Sequence, residues 1–463
     1  MKLFRLLPVA LLALAACSGN VKQEVQNPVL TIEGGQIQGV LTDSSQVLVY
    51  KGVPYAAAPV GELRWKKPQP VTPWEGVKVA DHWGNAAVQG TAQGMELYTK
   101  EFYSDGDPER SEDCLYLNVW TPAEAAGKPE SKLPVAMWIH GGAYDHGWGY
   151  EKTMDGDAWA QRGVILVTIN YRVGILGFMA HPLLSAEDPA GVSGNYGTYD
   201  QVAALKWIKN NIAQFGGDPN NITILGQSAG AASIKNLVAS PLSKNLVSGA
   251  IIQSGGGLGP FISTESPASE EEAKGKKVMD AAGWTTLEQM RAASSDEIMK
   301  AFADYNANLT NPRERVGFRP YVDGVLLTKD FNQATYDNEI ADVPYMIGYC
   351  KDDIGNMRDA VLAFCSKRSE QSSKPAYAYL FARPLPGDDA GAFHSSELWY
   401  VFHTLGRAWR PFTEADYALS DRMVDYWTNF AKFGNPNGDS SAPQNWKPGS
   451  ADDASSLQVL DIE

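Results

Sequence analysis

Asn221-Ile222-Thr223-Ile224-Leu225-Gly226-Gln227-Ser228-Ala229-Gly230-Ala231-Ala232-Ser233-Ile234-Lys235-Asn236-Leu237 is the stretch on which the reading of this chain turns. Residues 221–225 are apolar and β-branched, which predicts a buried strand, and residues 231–237 read as the start of a helix. Strand, Gly-x-Ser-x-Gly and helix in that order form a nucleophile elbow. The turn is so tight that the Ser228 backbone is strained and its hydroxyl is pushed out of the sheet. Side chains two residues either side would collide, so positions 226 and 230 carry none. A helix that begins just after Ser228 aims free N–H groups and a partial positive charge at the hydroxyl. A Gly-rich turn with an incidental serine is the plainer alternative, and the flanking strand and helix argue against it.

Working outward, the same alternation continues. Residues 47–57 read as a strand running into a Pro-containing loop. Residues 115–120 alternate and stop at Thr121-Pro122, residues 133–139 form a strand ending at His140-Gly141-Gly142-Ala143, and residues 164–170 are nearly continuously apolar, as in a strand buried on both faces. Residues 198–215 carry Val202, Leu205, Ile208 and Ile212 at helical spacing, stopped by Gly216-Gly217-Asp218-Pro219. Residues 250–253, 343–349 and 376–382 are further strands, and Leu419, Met423, Tyr426, Trp427 and Phe430 mark a C-terminal helix with one apolar stripe. Strands alternating with helices predict an α/β fold, a mostly parallel central sheet flanked by helices. Residues 260–342 break the rhythm with acidic, helical patterning and are expected to form an insertion over one end of the sheet, a lid or substrate wall. No Gly, Ser or Pro linker divides the chain, so residues 31–463 are expected to be one domain.

The 463 residues carry a net charge of −15 and are 44% hydrophobic. That share supports a large core, and the acidic surface argues against nucleic acid as a partner. Lys2 and Arg5 precede an apolar run over residues 6–16 that is too short to span a bilayer, followed by Leu14-Ala15-Ala16-Cys17. This resembles the signal peptide and lipobox of bacterial lipoproteins, which implies cleavage after residue 16, lipidation of Cys17, a tether over residues 17–30 and a lipid-anchored place at the cell envelope, on the periplasmic or outer-membrane side. An ordinary signal peptide that happens to contain a cysteine is the alternative. Cys114, Cys350 and Cys365 remain, an odd number that leaves at least one free thiol; Cys114 is expected to be a buried one. No spacing suggests a metal site or cofactor, and no obligate protein partner is read.

Several stretches, in order, carry a resemblance: Tyr50-Lys51-Gly52-Val53-Pro54-Tyr55-Ala56, Leu63-Arg64-Trp65, Ser111-Glu112-Asp113-Cys114-Leu115-Tyr116-Leu117-Asn118, Asn170-Tyr171-Arg172, Gly194-Asn195-Tyr196-Gly197 and Gly391-Ala392-Phe393-His394. From about residue 35 to 438 the chain resembles the type-B carboxylesterases of the α/β-hydrolase fold, the family of cholinesterases and bacterial para-nitrobenzyl esterases. The resemblance implies a serine carboxylic ester hydrolase acting on a small-molecule ester. In this fold the catalytic residues follow the order serine, acid, histidine. His82, His140, His146 and His181 precede Ser228 and are disfavoured; His394 is expected to be the base, and His403, in the helical-looking stretch 395–407, to be structural. Alignment of Gly348-Tyr349-Cys350-Lys351-Asp352-Asp353 on the family's acid loop puts Asp353 in the place of the usual Glu, with Asp352 as the alternative. Asp388 and Asp389 follow the wrong strand and read as a solvated pair. The resemblance also implies an oxyanion hole from the N–H groups of Gly142, Ala143 and Ala229, which agrees with a Gly-Gly strand end and the residue after the nucleophile. Arg64 with Glu112, and Arg172 with Asp200, match family ion pairs. Tyr144, Trp148, Trp399 and Tyr400 are read equally as pocket lining or as core.

The chain departs from the family in two places. The cysteine that usually pairs with the Cys114 position is replaced near Ala87-Val88-Gln89, and the segment between residues 358 and 374 looks shortened. The competing readings are a non-catalytic, adhesion-type relative, which only the shortened segment favours and the retained Ser228, His394 and Gly142-Ala143 oppose, and a hydrolase that keeps these residues but acts on thioesters, amides or lactones.

Overall fold

The computed structural model of the chain describes residues 27–90, 96–261, 264–439, 441 and 445–462. The signal-peptide and lipobox reading, Cys17 included, lies outside the described residues. A ten-stranded sheet forms the middle of the molecule. In chain order its strands are β1 (Val40–Leu41), β2 (Val47–Pro54), β3 (Tyr116–Pro122), β4 (Leu133–Ile139), β5 (Ile165–Ile169), β6 (Gly217–Gln227), β7 (Gly249–Gln253), β8 (Tyr345–Cys350), β9 (Ala376–Phe381) and β10 (Leu457–Leu460). Across the sheet they run β10-β9-β8-β7-β6-β4-β5-β3-β2-β1. All neighbours from β10 to β5 are parallel, and β5·β3, β3·β2 and β2·β1 are antiparallel. The order β6-β4-β5 reverses the chain direction of travel across the sheet, which opens a crevice at the carboxyl ends of β4 and β6.

Successive side chains on each strand go to opposite faces. On β4, Val135, Met137 and Ile139 join the core beneath the helices Tyr196–Asn211 and Ala229–Ala239, whereas Ala136 and Trp138 join the core beneath the helix Glu414–Phe433. Both faces are thus covered, and every residue of β5 is buried. The helix Ala229–Ala239 is buried along its whole length, its polar Ser233, Lys235 and Asn236 included.

The segment between β7 and β8 holds the helices Ala268–Ala281, Leu287–Ala292, Ser295–Ala307 and Phe331–Tyr336. Arg64 ties it to the body. Its guanidinium makes a two-pronged contact with Glu112 (2.5 and 2.6 Å) and donates to the carbonyls of Met290, Arg291 and Ala293 at the end of the helix Leu287–Ala292. A helix C-terminus, with its unpaired carbonyls, is where a cation belongs. Arg172 grips Asp200 in the same bidentate way at 2.7 and 2.8 Å, both fully desolvated.

Three element expectations need correction. The helix read over residues 198–215 ends at Asn211 and tightens into a 3-10 turn over Ile212–Phe215, stopped by Gly216 at φ 86°. The elbow strand starts earlier than read, at Gly217, because the Asp-Pro run is accommodated by a register irregularity before Ile222. Residues 395–407 are not one helix: only Leu398–Val401 is α-helical, and His403 turns the chain with φ 55°. His403 is held there by Ser420 (Nδ1 to Oγ, 2.8 Å), a structural role as expected.

Candidate active site

The elbow is formed as its sequence requires. Ser228 has φ 57° and ψ −121°, a conformation that costs a non-glycine residue about 1–3 kcal/mol and persists only when its surroundings impose it. Here they do. The Ser228 N–H is tied to Gln253 O at the end of β7 (2.9 Å), and its carbonyl accepts from Ala232 N–H in the following helix (2.9 Å). A Cβ on Gly226 would come within 2.6 Å of the Gly230 backbone, and one on Gly230 within 2.1 Å of Ile139 O. The two glycines are therefore needed for the close approach of the turn to itself and to β4.

The loop after β4 lies beside the serine. Gly142 (φ 98°) and Ala143 (φ 55°) both have left-handed backbones, and the Gly142 carbonyl is turned away to accept from the N–H groups of Asp145 and His146. None of the described hydrogen bonds uses the N–H of Gly142 or Ala143, and Ala229 is the first residue of its helix, whose N–H has no intrahelical acceptor. His140 braces this loop from beneath. It is fully buried, stacks on Tyr171 (centroids 4.3 Å apart) and contacts Gly141 O through Nδ1 at 2.9 Å. Burial lowers its imidazole to about 3, which keeps it neutral. Gln89 clamps the far end of the loop. Its amide accepts from Gly147 N–H (2.8 Å) and donates to Gly147 O (3.1 Å). Glu151, just beyond, accepts from Trp148 N–H at 3.2 Å, and burial pushes its carboxyl up to about 8, so it is a neutral acid at neutral pH.

His394 and Asp353 meet. His394 Nδ1 lies 2.5 Å from Asp353 Oδ1, and both side chains are almost wholly withdrawn from water. Burial acts to raise the Asp353 carboxyl, but the hydrogen bond and charge of His394, with the Cys350 N–H, outweigh it and hold the group below the ordinary aspartate range. Asp352 does something else. Its Oδ2 accepts from Ala392 N–H (2.8 Å) and its own N–H donates to Ala392 O (3.0 Å), so it props the loop that carries His394. Gly391, at φ 73°, makes room for it: a Cβ there would lie 2.4 Å from Asp352 Oδ2.

Sequence reasoning missed four supports of this loop. Tyr98 Oη donates to His394 O at 3.2 Å. Glu397, completely buried, takes a hydrogen bond from the Cys350 thiol (2.9 Å); burial, with the nearby Asp353 charge, raises its carboxyl. The Gln227 amide reaches His394 Nε2 at 3.2 Å. Glu101 and Arg410 form a fully desolvated ion pair that also engages Asp388. Asp388 is exposed, as read, but paired: it accepts from Arg410 at 2.8 and 3.1 Å, which holds its carboxyl below the usual range. Trp399 and Tyr400 turn out to be core, donating to Glu101 and Asp416, and Tyr144 and Trp148 are likewise buried. Cys114, Cys350 and Cys365 are all free, buried thiols.

The chain as a whole has counterparts among known proteins. The chain matches the family described as "Carboxylesterase family" over residues 26–371 and 358–463. It belongs to the carboxylesterase family. The two matched segments meet within the helix Arg358–Gln371, the stretch that reads as shortened in sequence. This carboxylesterase-family chain is 31% identical to the para-nitrobenzyl esterase of Bacillus subtilis, with 94% of this chain and 95% of that protein covered. It is 38% identical to the fumonisin B1 esterase of Sphingopyxis macrogoltabida over 316 residues, covering 68% of this chain but only 54% of the relative, so it spans about half of that protein's length. The solved structure of a thermophilic PNB esterase superposes with a TM-score of 0.80 at 29% identity, covering 94% of this chain and 96% of that one, and such esterases have the α/β-hydrolase fold seen here.

Proposed function

We propose that this protein is a serine carboxylic ester hydrolase working through an acyl-enzyme on Ser228. The observation that carries the proposal is the 2.5 Å contact of His394 with Asp353 beside a strained serine at the elbow. The ester carbonyl oxygen sits among the N–H groups of Gly142, Ala143 and Ala229. Ser228 Oγ attacks the carbonyl carbon while His394 Nε2 takes its proton. Asp353, held ionised, stabilises the imidazolium and fixes its tautomer. Negative charge that develops on the oxygen meets the three donors, each worth about 3 kcal/mol of transition-state stabilisation. His394 returns the proton to the departing alkoxide. Water then repeats the sequence on the acyl-enzyme and releases the acid.

The relatives are named for esterases, which supports the ester class over thioesters, amides or lactones. p-Nitrobenzyl and p-nitrophenyl esters of graded acyl length, set against the matching anilides, test it. Hydrolysis of the esters at least a hundredfold faster than the anilides is expected; no turnover of any ester by the folded protein would favour the binding-protein reading instead. We further propose, from the N-terminal sequence alone, that Cys17 is lipidated and anchors the enzyme at a bacterial envelope membrane.

A further inference from the structure

We propose that Gln227 is a positioning residue that holds His394 in its neutral, Nδ1-protonated tautomer by donating to its Nε2, and so lets the base work at lower pH. The inference rests on His394 being the base. Gln227 is the last residue of β6, 3% exposed, and paired in register with Gln253 of β7. Its side-chain amide nitrogen lies 3.2 Å from His394 Nε2, and its amide oxygen lies against Gly141, where a Cβ would come within 3.1 Å of it. An amide N–H can donate to Nε2 only while that nitrogen carries a lone pair. The bond therefore exists with the neutral imidazole and is lost, replaced by N–H against N–H, when the ring is protonated. A hydrogen bond made to one protonation state favours that state.

The groups facing the imidazole from each neighbouring element make this counterweight useful. Asp353, from the loop after β8, is ionised and pulls toward the imidazolium. Glu397, on the same loop as His394, is buried and hydrogen-bonded by the Cys350 thiol. Tyr98, from the helix Glu96–Phe102, donates to the His394 carbonyl and packs on Phe393. Ser228, on the other side, is joined to His394 by none of the described hydrogen bonds, so in the substrate-free site the Nε2 lone pair is held by Gln227. When an ester enters, Ser228 Oγ takes over that lone pair as an O–H donor, and the proton leaves Oγ for Nε2 as the new C–O bond forms.

The test is the pH dependence of kcat/KM for p-nitrophenyl acetate, wild type beside Gln227→Met, which keeps length and volume but has no donor. The midpoint of the acidic limb is expected to rise by roughly half to one pH unit, the size of one lost hydrogen bond to the neutral ring. A fall would mean that the amide oxygen, not the N–H, faces Nε2, and an unmoved midpoint would mean that no bond is made; either overturns the proposal. If Gln227→Met does not fold, the wild type decides by nitrogen-15 NMR above the acidic limb. A scalar coupling between the Gln227 side-chain amide nitrogen and an unprotonated Nε2 of His394 is expected, and its absence contradicts the assignment. The coupling can be read even in a protein that hydrolyses no ester, so failure of the esterase reading and failure of this one are separate results.

Discussion

Asp353→Asn is expected to lower kcat on a nitrophenyl ester by about 10⁴-fold while leaving the fold intact, as the loss of a buried, histidine-orienting carboxylate does in serine hydrolases generally. The cause is twofold. An asparagine at 2.5 Å from His394 Nδ1 offers no charge to the imidazolium, and its amide N–H would favour the wrong tautomer. Asp352→Asn, one residue earlier, is expected to cost roughly tenfold or less, because Asp352 touches the loop backbone at Ala392 and not the imidazole. Steady-state kinetics on the two variants, with circular dichroism as the fold control, measure the contrast. Equal losses, or a larger loss for Asp352→Asn, would reassign the acid.

Arg410→Met is expected to destabilise the protein by about 3–5 kcal/mol, the usual result of stripping a buried carboxylate of its partner. Arg410 Nε lies 2.9 Å from both oxygens of Glu101, and neither side chain reaches water. Glu101 also collects the indole N–H groups of Trp399 (2.7 Å) and Trp409 (3.0 Å). The cluster pins the helix Glu96–Phe102, which carries Tyr98 to the His394 loop, against the segment that follows β9. Removing both charges in Glu101→Met with Arg410→Met is expected to recover only part of the loss: desolvation offsets most of the attraction in such a pair, but the indole N–H groups of Trp399 and Trp409 then lose their acceptor. Urea unfolding of the single and double variants reads both effects.

The fold was largely legible because its decisive features are local. The run 221–237 contains its strand, its turn glycines and its helix within one window, and parallel strands announce themselves as nearly unbroken apolar runs such as β5. Asp353 and Asp352 were both candidates, since adjacent residues in a loop cannot be told apart by pattern; only the direction in which each side chain leaves the loop separates the one at the imidazole from the one under Ala392. What could not be read depends on distance. Glu101 and Arg410 are 309 positions apart, and nothing in either neighbourhood marks the other. Asp388 is exposed as read, but its pairing with Arg410 was hidden because that partner lies on a later segment. Tyr98 and Glu397 belong to no motif, and their roles follow from burial beside His394. The helical spacing of 395–407 was overridden by the left-handed turn at His403, which tertiary contacts with Ser420 impose. Gln227 lay inside the elbow motif at the position the pattern leaves free, and its meaning emerged only from the 3.2 Å approach to Nε2.

The central claim is that Ser228 is an activated nucleophile. Intact-mass spectrometry after treatment with a fluorophosphonate probe tests it most directly, with wild type and Ser228→Ala side by side. Attack of Ser228 Oγ on phosphorus expels fluoride and leaves one phosphonyl group per chain. The account predicts a single adduct on wild type, located on the peptide that contains Ser228, and none on Ser228→Ala. An unmodified wild type that is demonstrably folded, or equal labelling of both proteins, would contradict it.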